Sequence, residues 1–265
     1  MTNSVKIAVL GLSDAGLAIA DGLKKAGAAV LGYDSAKLKF PPVPVADSVA
    51  DAVRDADVVL SINSATVSFA MAESAVAHLK PGAVFADLNT GTPGLKAGLA
   101  KLFTADQFVD AAPMKPVTEL AEKTPMAVAG SGAKRFIELL SPLGLELEYV
   151  SEKPGDAAAR RLLRSIVEKG TAALIVDLLW AAEAMGLEDW ALEEIKREFD
   201  TNSSKTVQLY LDGTAQHAKR RTMEMNDVTE MLTDAKYEST TVHGTFATLS
   251  MVMHGKRVPF AKLDG

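Results

Sequence analysis

The chain has 265 residues, a net charge of −6 and no cysteine. The acidic balance argues against nucleic acid or an anionic membrane as the main partner, and the lack of cysteine excludes disulfides, thiolate metal ligands and cysteine nucleophiles. No segment reaches the roughly 18 uninterrupted apolar residues of a membrane helix, and the N-terminal apolar run is the first strand rather than a leader. We therefore expect a cytoplasmic protein without membrane or nucleic-acid partners, long enough for two domains.

The first 34 residues follow the strand–turn–helix–strand pattern of a dinucleotide-binding βαβ unit. The strand VKIAVLG runs into GLSDAG, the helical stretch LAIADGLKKAG follows, and a second strand, AAVLGYD, ends on Asp34. Gly11 permits a sharp turn, Gly16 permits close packing of helix on sheet, and the amides that begin the helix attract a pyrophosphate. The pattern predicts cofactor contacts by Gly11, Leu12, Ser13, Asp14, Ala15 and Gly16.

Asp34 and Ser13 bear on which dinucleotide binds and on whether one binds at all. Asp34 can accept hydrogen bonds from both ribose hydroxyls and would repel a 2′-phosphate, so we expect NAD, with NADP as the alternative. Ser13 occupies the middle glycine position of G-x-G-x-x-G, where the backbone approaches the pyrophosphate most closely. A Rossmann-like fold whose nucleotide pocket has decayed therefore stays open as an alternative.

Strand-like and helix-like segments alternate as far as residue 150. This alternation predicts an α/β fold of the Rossmann type, a doubly wound, mostly parallel sheet with helices on both faces. The predicted strands are DVVLSIN, AVFADLNT, QFVDAAPM, PMAVAG and LELEYVS, and the predicted helices cover residues 47–54, 66–79, 93–102 and 133–140. Asn63 and Ser64 end the strand DVVLSIN at the carboxyl edge of the sheet, where such sheets bind ligands, so we expect them to contact the cofactor.

The character of the chain changes at SEKPG, residues 151–155. No strand-like alternation follows, and DAAARRLLRSIVEKGTAALIVDLLWAAEAMGL reads as one helix of about 30 residues, or about 45 Å. Further helices follow in DWALEEIKREF, in the segment from SKTVQ to TEML, and in TTVHGTFATLSMVMHG. The sequence thus predicts a Rossmann domain over residues 1–152 and an all-α domain over 153–265 that contributes to the substrate site and forms a homodimer, because its long helix and apolar neighbours need a partner surface.

The order of these parts resembles the β-hydroxyacid dehydrogenase superfamily, which includes 6-phosphogluconate and 3-hydroxyisobutyrate dehydrogenases. GLSDAG stands at the family's glycine loop, KPGAVFADLNTGTP is similar to its substrate loop, and FVDAAPMKPV resembles its Asp-Ala-Pro substrate strand. EKGTAALIVDLLWAAEAMGL and QHAKRRTMEMNDVTEML are similar to a subfamily labelled as phosphogluconate dehydrogenases with an uncharacterised helical C-terminal domain. The resemblance implies substrate contacts by Asn89, Thr90, Gly91 and Met114, although an ordinary turn also explains residues 89–91.

Ungapped matching to the family places its catalytic lysine at Arg161 and its asparagine, one turn later, at Ser165. The resemblance implies that both positions face the substrate. A guanidinium with a pKa above about 12 holds its proton too tightly to exchange it near neutral pH. We therefore expect Arg161 to clamp a carboxylate or stabilise an oxyanion, with a solvated helix charge as the alternative.

Another group must then move the proton. Lys169 lies two turns after Arg161 on one helix face, resembles a lysine of the subfamily, and is the first choice. Lys115 follows in the substrate strand, although it could equally be a lysine whose charge reaches solvent at a strand end. His217 and Arg221 stand in the family-like segment QHAKRRTMEM and could bind an anionic substrate, or form a solvated helix face. The other histidines are scattered and resemble no ligand set, so we expect no metal.

Three functions stay open from the sequence. The first is an NAD(P)-dependent oxidoreductase that transfers a hydride between nicotinamide and a small, anionic hydroxy acid or a related alcohol. The second is a lyase that releases an aldehyde by retro-aldol cleavage, which the changes at Ser13 and Arg161 motivate. The third is a non-catalytic regulator that binds a nucleotide.

Overall fold

A computed structural model describes residues 4–262 except residues 37, 40, 65, 105, 202 and 203. The chain divides into two compact units, residues 1–165 and 166–265. The strands are β1 (Lys6–Leu10), β2 (Ala29–Tyr33), β3 (Val58–Ser61), β4 (Val84–Asp87), β5 (Phe108–Pro113), β6 (Met126–Ala129) and β7 (Leu147–Ser151). The helices are α1 (Asp14–Lys25), α2 (Val49–Val53), α3 (Ser68–Val76), α4 (Pro93–Ala100), α5 (Val117–Leu120), α6 (Ala133–Leu140), α7 (Asp156–Glu183), α8 (Glu188–Thr201), α9 (Ser204–Asp234) and α10 (Thr240–Met253).

The strands of the first unit form one sheet in the order β2-β1-β3-β4-β5-β6-β7. The pair β5–β6 is antiparallel and the other neighbouring pairs are parallel, so the predicted doubly wound, mostly parallel sheet is confirmed. Strands β3, β4, β5 and β6 are buried along their whole length because both faces of the sheet are covered. In β1, Ile7 and Val9 join the core on one face, whereas Ala8 and Leu10 join the core on the other.

The strand order places a topological switch point beside β1. From β1 the chain passes to β2 on one side and returns to β3 on the other, so the connections after β1 and β3 leave the sheet in opposite directions. Ligands of open α/β sheets bind at the carboxyl ends of the strands at such a point. A ligand-binding site is therefore expected at the turn after β1 and the segment after β3.

The second unit is helical throughout its described part, and no strand follows Ser151 among the described residues. Helix α7 begins in the first unit, runs for 28 residues and continues into the second, close to the predicted length. It starts just after the predicted domain boundary at residue 152, whereas the division between the compact units falls inside it, after Ser165. The roles expected of the two domains stay predictions.

A kink interrupts α9 in the second unit. His217 has a φ of −121° and a ψ of 24°, outside the helical range, so α9 consists of two helical halves. Arg221 Nη1 donates to Thr214 Oγ1 at 2.7 Å across the kink. No helix in the described part of the chain is both long and apolar enough to cross a membrane.

Candidate functional site

The turn after β1 has the backbone that the glycine pattern predicts. Gly11 has a φ of +95°, and a Cβ there would lie 2.2 Å from the carbonyl oxygen of Ile62. A Cβ on Gly16 would lie 1.9 Å from the carbonyl oxygen of Gly11. Both contacts are shorter than any real Cβ contact, so the close approach of the turn to α1 and to the segment after β3 requires glycine at both positions.

Asp34 ties the end of β2 to this turn. The amide of Leu12 donates to Asp34 Oδ2 at 2.7 Å, and the amide of Ala36 donates to Asp34 Oδ1 at 2.8 Å. A carboxylate has about four lone-pair positions, so the capacity to accept from ribose hydroxyls remains. The side chain that would discriminate between cofactors thus also fixes the turn that would hold the pyrophosphate.

The start of α1 suits an anion. Ser13 is the N-cap residue, is exposed, and makes no side-chain cap hydrogen bond within the described chain. The first amides of a helix have no partner inside the helix and carry its partial positive charge, so an uncapped start leaves them for a ligand. Together with Asp34 at the switch point, the residues present fit a dinucleotide.

A cleft of about 210 Å³ lies within the first unit at the carboxyl edge of the sheet. It brings together predicted site residues from five parts of the chain. Its polar lining includes Asn63 after β3, Asn89 and Thr90 after β4, Lys115 after β5, and Arg161 on α7. Ala15 of the glycine turn lines it as well, so the cleft adjoins the predicted cofactor loop.

Hydrogen bonds fix the two asparagines of the cleft. The Asn63 amide donates to Asn89 Oδ1, and Asn63 Nδ2 donates to the Leu10 carbonyl at 3.0 Å and to Ser61 Oγ at 3.1 Å. Asn89 is buried and Asn63 is half-buried. These bonds join the ends of β1, β3 and β4 beneath the cleft.

The other predicted residues of the first unit lie outside the lining of this cleft. The hydroxyls of Ser64 and Thr66 are 2.6 Å apart. Gly91 is half-buried against Leu95, where a Cβ would lie 2.4 Å from a methyl carbon. Met114 packs beside the small core cluster that includes Ala157. Ser165 donates its hydroxyl to the Arg161 carbonyl one turn earlier, at 3.2 Å.

Three predicted residues belong to the second unit. Lys169 is exposed and forms an ion pair with its neighbour Glu168, with an N–O distance of 3.1 Å. His217 is exposed at the kink of α9, and Arg221 lies one turn later. Their predicted roles stay predictions.

Sequence reasoning missed a group of charged residues beneath the cleft. The side chains of Lys96, Asp87 and Asp110 are each no more than 1% exposed. Lys96 Nζ lies 2.7 Å from Asp87 Oδ2 and 3.5 Å from Asp110 Oδ1. Burial raises the pKa of the Asp87 carboxyl above its ordinary value, although Lys96 and Asn89 oppose the rise. The sequence GLKAGLA gave no sign that its lysine would be buried.

A second cavity, of about 600 Å³, lies within the helical unit. Its lining is mostly apolar, with Trp190, Met185 and Met231 among the larger side chains, and Asp177 as its one acid among the described residues. Asp177 accepts hydrogen bonds from the Tyr237 and Ser239 hydroxyls and from the Thr241 amide. The carboxylate therefore ties the segment between α9 and α10 to α7.

The model of the NAD binding domain of 6-phosphogluconate dehydrogenase matches residues 6–146, more than half of the chain. The chain belongs to this family. Residues 182–252 match a second model, a domain of unknown function named DUF1932. The resemblance inferred from the glycine turn and the later motifs is thus confirmed.

Solved structures of similar proteins extend the match over almost the whole chain. A conserved hypothetical protein from Sinorhizobium meliloti 1021 is 30% identical, with a TM-score of 0.61 over 99% of this chain and 93% of its own. A conserved protein of unknown function, described as similar to 3-hydroxyacid dehydrogenases, is 24% identical, with a TM-score of 0.62 over 94% of this chain and 97% of its own.

The fold of this chain also occurs in enzymes whose sequences are less similar to it. An imine reductase from Myxococcus stipitatus, solved with NAD+ as a variant and with NADP+, is 15% identical, with a TM-score of 0.80 over 96% of each chain. At this identity the likeness shows the fold alone.

Proposed function

We propose that this protein is an oxidoreductase that prefers NAD to NADP and transfers a hydride between the nicotinamide and a small, anionic hydroxy acid or a related alcohol. The observation that carries the proposal is the cleft at the switch point, which adjoins the glycine turn and gathers Asn89, Thr90, Lys115 and Arg161. Membership of the 6-phosphogluconate dehydrogenase family supports the nicotinamide cofactor.

The cofactor side of the site consists of the glycine turn, the start of α1 and Asp34. The first amides of α1 would bind the pyrophosphate, and Asp34 would accept hydrogen bonds from the adenosine ribose. Asn63 and Ser64, after β3, would contact the cofactor on the other side of the switch point. When bound, the nicotinamide supplies the hydride donor or acceptor.

The substrate side consists of groups suited to an anion and a hydroxyl. The Arg161 guanidinium can hold a carboxylate with two parallel hydrogen bonds. Asn89 Nδ2 already donates to Asp87 and Ser61. The oxygen Oδ1 of Asn89, which accepts one hydrogen bond, and the hydroxyl of Thr90 can therefore bind a substrate hydroxyl. Arg161 would bind and orient the substrate without exchanging a proton, because a guanidinium keeps its proton at neutral pH. Lys115 shares the cleft with Arg161 and would move the proton of the substrate hydroxyl. Lys169, the first choice from the sequence, is the alternative.

A lyase is the second candidate, because the group in the cleft at the family's lysine position is Arg161. A guanidinium can stabilise the oxyanion of a retro-aldol cleavage without exchanging a proton. In that reaction a base removes the proton of the substrate hydroxyl, the carbon–carbon bond breaks to release an aldehyde, and the other fragment takes up a proton.

One experiment separates these functions. A panel of small hydroxy acids and alcohols, and their carbonyl forms, is assayed at 340 nm in both directions with NAD and NADP, while calorimetry measures cofactor binding. An oxidoreductase gives tight cofactor binding and a change in absorbance that depends on the substrate. A lyase gives aldehyde without a change at 340 nm, and a regulator binds the cofactor without turnover. Either result would contradict the proposal.

We further propose that the protein is a homodimer formed through its helical unit. The exposed apolar side chains of this unit support the proposal. They include Ile166, Val167, Trp180, Trp190, Leu209 and Met223, each more than half exposed. Exposed apolar side chains in such number are typical of an interface with another protein.

A further inference from the structure

Three buried charges beneath the cleft have no part in the proposed chemistry. Lys96 lies on α4, Asp87 ends β4, and Asp110 lies on β5, each no more than 1% exposed. Taking charges out of water is costly, and apolar side chains of similar volume often stabilise a protein as well or better. Stability alone therefore explains this group poorly, and its hydrogen bonds show what else it does.

Lys96 fixes the segment that carries Asn89. Its ammonium donates to the Asp87 carbonyl at 2.8 Å, to Asp87 Oδ2 at 2.7 Å and to the Asn89 carbonyl at 2.9 Å. These three bonds use all three of its protons. The side-chain amide of Asn89 donates to Asp87 Oδ1, while Asn89 Oδ1 accepts from the Asn63 amide. The position and the direction of the Asn89 amide in the cleft thus depend on Lys96 and Asp87.

Asp110 extends the same group to the start of α7. Its Oδ2 accepts from the amides of Gly155 and Ala158, both at 3.0 Å. These are among the first amides of α7, which have no partner inside the helix, so Asp110 caps the helix that carries Arg161. Asp110 Oδ1 has no hydrogen-bond partner in the described part of the chain, and Lys96 Nζ lies 3.5 Å from it. Lys96 is therefore the cation that compensates the capping carboxylate.

Close packing also joins the start of α4 to the start of α7. Gly155 has a φ of +103°, and a Cβ there would lie 2.8 Å from the carbonyl oxygen of Pro93, the first residue of α4. The helix that carries Lys96 and the helix that carries Arg161 thus begin in direct contact. A shift of either start would move the other.

We propose that Lys96 is a positioning residue that sets the distance between Asn89 and Arg161 in the cleft. It acts on Asn89 through Asp87 and on Arg161 through Asp110. The positions of two proposed substrate contacts, on different elements, therefore both depend on the buried ammonium of Lys96. The inference rests on the proposed function for its kinetic test. It concerns mainly the binding and orientation of the substrate, because Lys96 donates to Asp87 and Asn89 and not to the glycine turn or Asp34. The network reaches the proposed cofactor side only indirectly, through the hydrogen bond from the Asn63 amide to Asn89 Oδ1.

The first test replaces Lys96 with methionine, which keeps the length of the side chain and removes the charge. Lys101→Met is the matched control, because this exposed lysine directly follows the same helix. We expect kcat/KM for the substrate to fall about 10- to 100-fold, as for reacting groups misplaced by up to about 1 Å, while the Kd of the cofactor changes less than about threefold. A general loss of structure would weaken both. A kcat/KM within about twofold of the control would overturn the proposal.

A second variant keeps the test decisive if Lys96→Met does not fold. Lys96→Met with Asp87→Asn removes one positive and one negative charge and leaves Asp110, which the amides of α7 still stabilise. We expect the same selective loss in kcat/KM. In an Arg161→Ala background, the double variant should lower kcat/KM by a smaller factor than it does in the wild type, because one of the contacts that Lys96 positions is already gone. Fully additive losses would show that Lys96 does not act through Arg161.

Hydrogen exchange separates failure of this inference from failure of the proposed function. If the wild type turns over no hydroxy acid or alcohol, the proposed function is wrong, and exchange alone then decides on Lys96. We expect Lys96→Met, or the double variant, to speed exchange at the Asn63, Gly155 and Ala158 amides, while the control leaves it unchanged. Unchanged exchange at these amides in a folded variant would overturn the inference.

Discussion

Asp34 has two roles that one substitution can reveal. It fixes the glycine turn through the Leu12 amide, and in the proposed function it accepts hydrogen bonds from the adenosine ribose. We expect Asp34→Ala to weaken NAD binding about tenfold, which corresponds to about 1.4 kcal/mol, and to remove the preference over NADP. Calorimetry with both cofactors measures this, with the exposed Asp47→Ala as control. Unchanged affinities, or tighter binding of NADP to the wild type, would contradict the assignment.

Ser13 tests whether the turn holds a pyrophosphate. Its side chain makes no cap hydrogen bond in the described chain, and glycine at an N-cap costs only a few tenths of a kcal/mol in helix stability. Ser13→Gly should therefore fold as the wild type does. We expect it to bind the cofactor more tightly, because the backbone can then approach the phosphates more closely. An unchanged Kd by calorimetry would indicate that the turn is empty in the working protein.

In the proposed function Arg161 binds the substrate, and either Lys115 or Lys169 transfers the proton. Arg161→Lys should retain measurable turnover, because it keeps a cation in the cleft and restores the lysine that the family resemblance implies at this position. Lys115→Met should lower kcat by about 100-fold or more with cofactor binding intact, as for a general acid or base. Lys169→Met is the matched comparison. Loss of turnover in Lys169→Met but not in Lys115→Met would move the proton role to Lys169.

At the scale of elements, Asp177 joins α7 to the start of α10. Burial raises its pKa, but the hydrogen bonds from Ser239, Tyr237 and Thr241 lower it more, so the pKa lies below its ordinary value of 3.8. Such a carboxyl stabilises the fold above its unfolded pKa, and the contribution is lost as the pH falls through the folded pKa. We expect Asp177→Ala to cost on the order of 2 kcal/mol at pH 7 and progressively less below pH 3.8, as measured by urea unfolding. An equal cost at pH 7 and pH 3 would contradict this account.

Titration of Tyr237 tests the same hydrogen bond between Tyr237 and Asp177. Its hydrogen bond to the Asp177 carboxylate, with some burial, raises the pKa of the phenol to about 12. A group with a raised pKa stabilises the fold below its unfolded pKa of about 10, and that contribution is lost as the pH rises through 12. An ultraviolet titration of the wild type should therefore contain a late phenol component. Tyr237→Phe, or Asp177→Ala, should remove it, and its persistence in both variants would assign it to another tyrosine.

Most elements could be predicted from the sequence because their signals are local. The apolar strands and the Pro and Gly residues between them gave the sheet, and α6 has the predicted bounds. The antiparallel pairing of β5 with β6 depends on contacts between elements and has no local signal, and the kink at His217 was not predicted. The burial of Lys96 belongs to the same class, because two aspartates distant in sequence compensate its charge. The residues that line the cleft could be predicted from sequence motifs, whereas the buried charges beneath them could be found only once the fold was known.

At the scale of the whole molecule, the exposed apolar surface of the helical unit predicts association. Ile166 and Val167 on α7 are 69% and 71% exposed, and burying side chains of this kind contributes about 1.5–3 kcal/mol each. In a symmetric dimer each substitution acts on both chains at one interface. We expect the wild type to sediment as a dimer at micromolar concentration, and Ile166→Asp to raise the dimer Kd at least 100-fold. Val67→Asp, at a position 42% exposed in the first unit, is the control and should leave the dimer intact. A wild type that sediments as a monomer would contradict the proposed dimer, and an Ile166→Asp variant that stays dimeric would place the interface elsewhere.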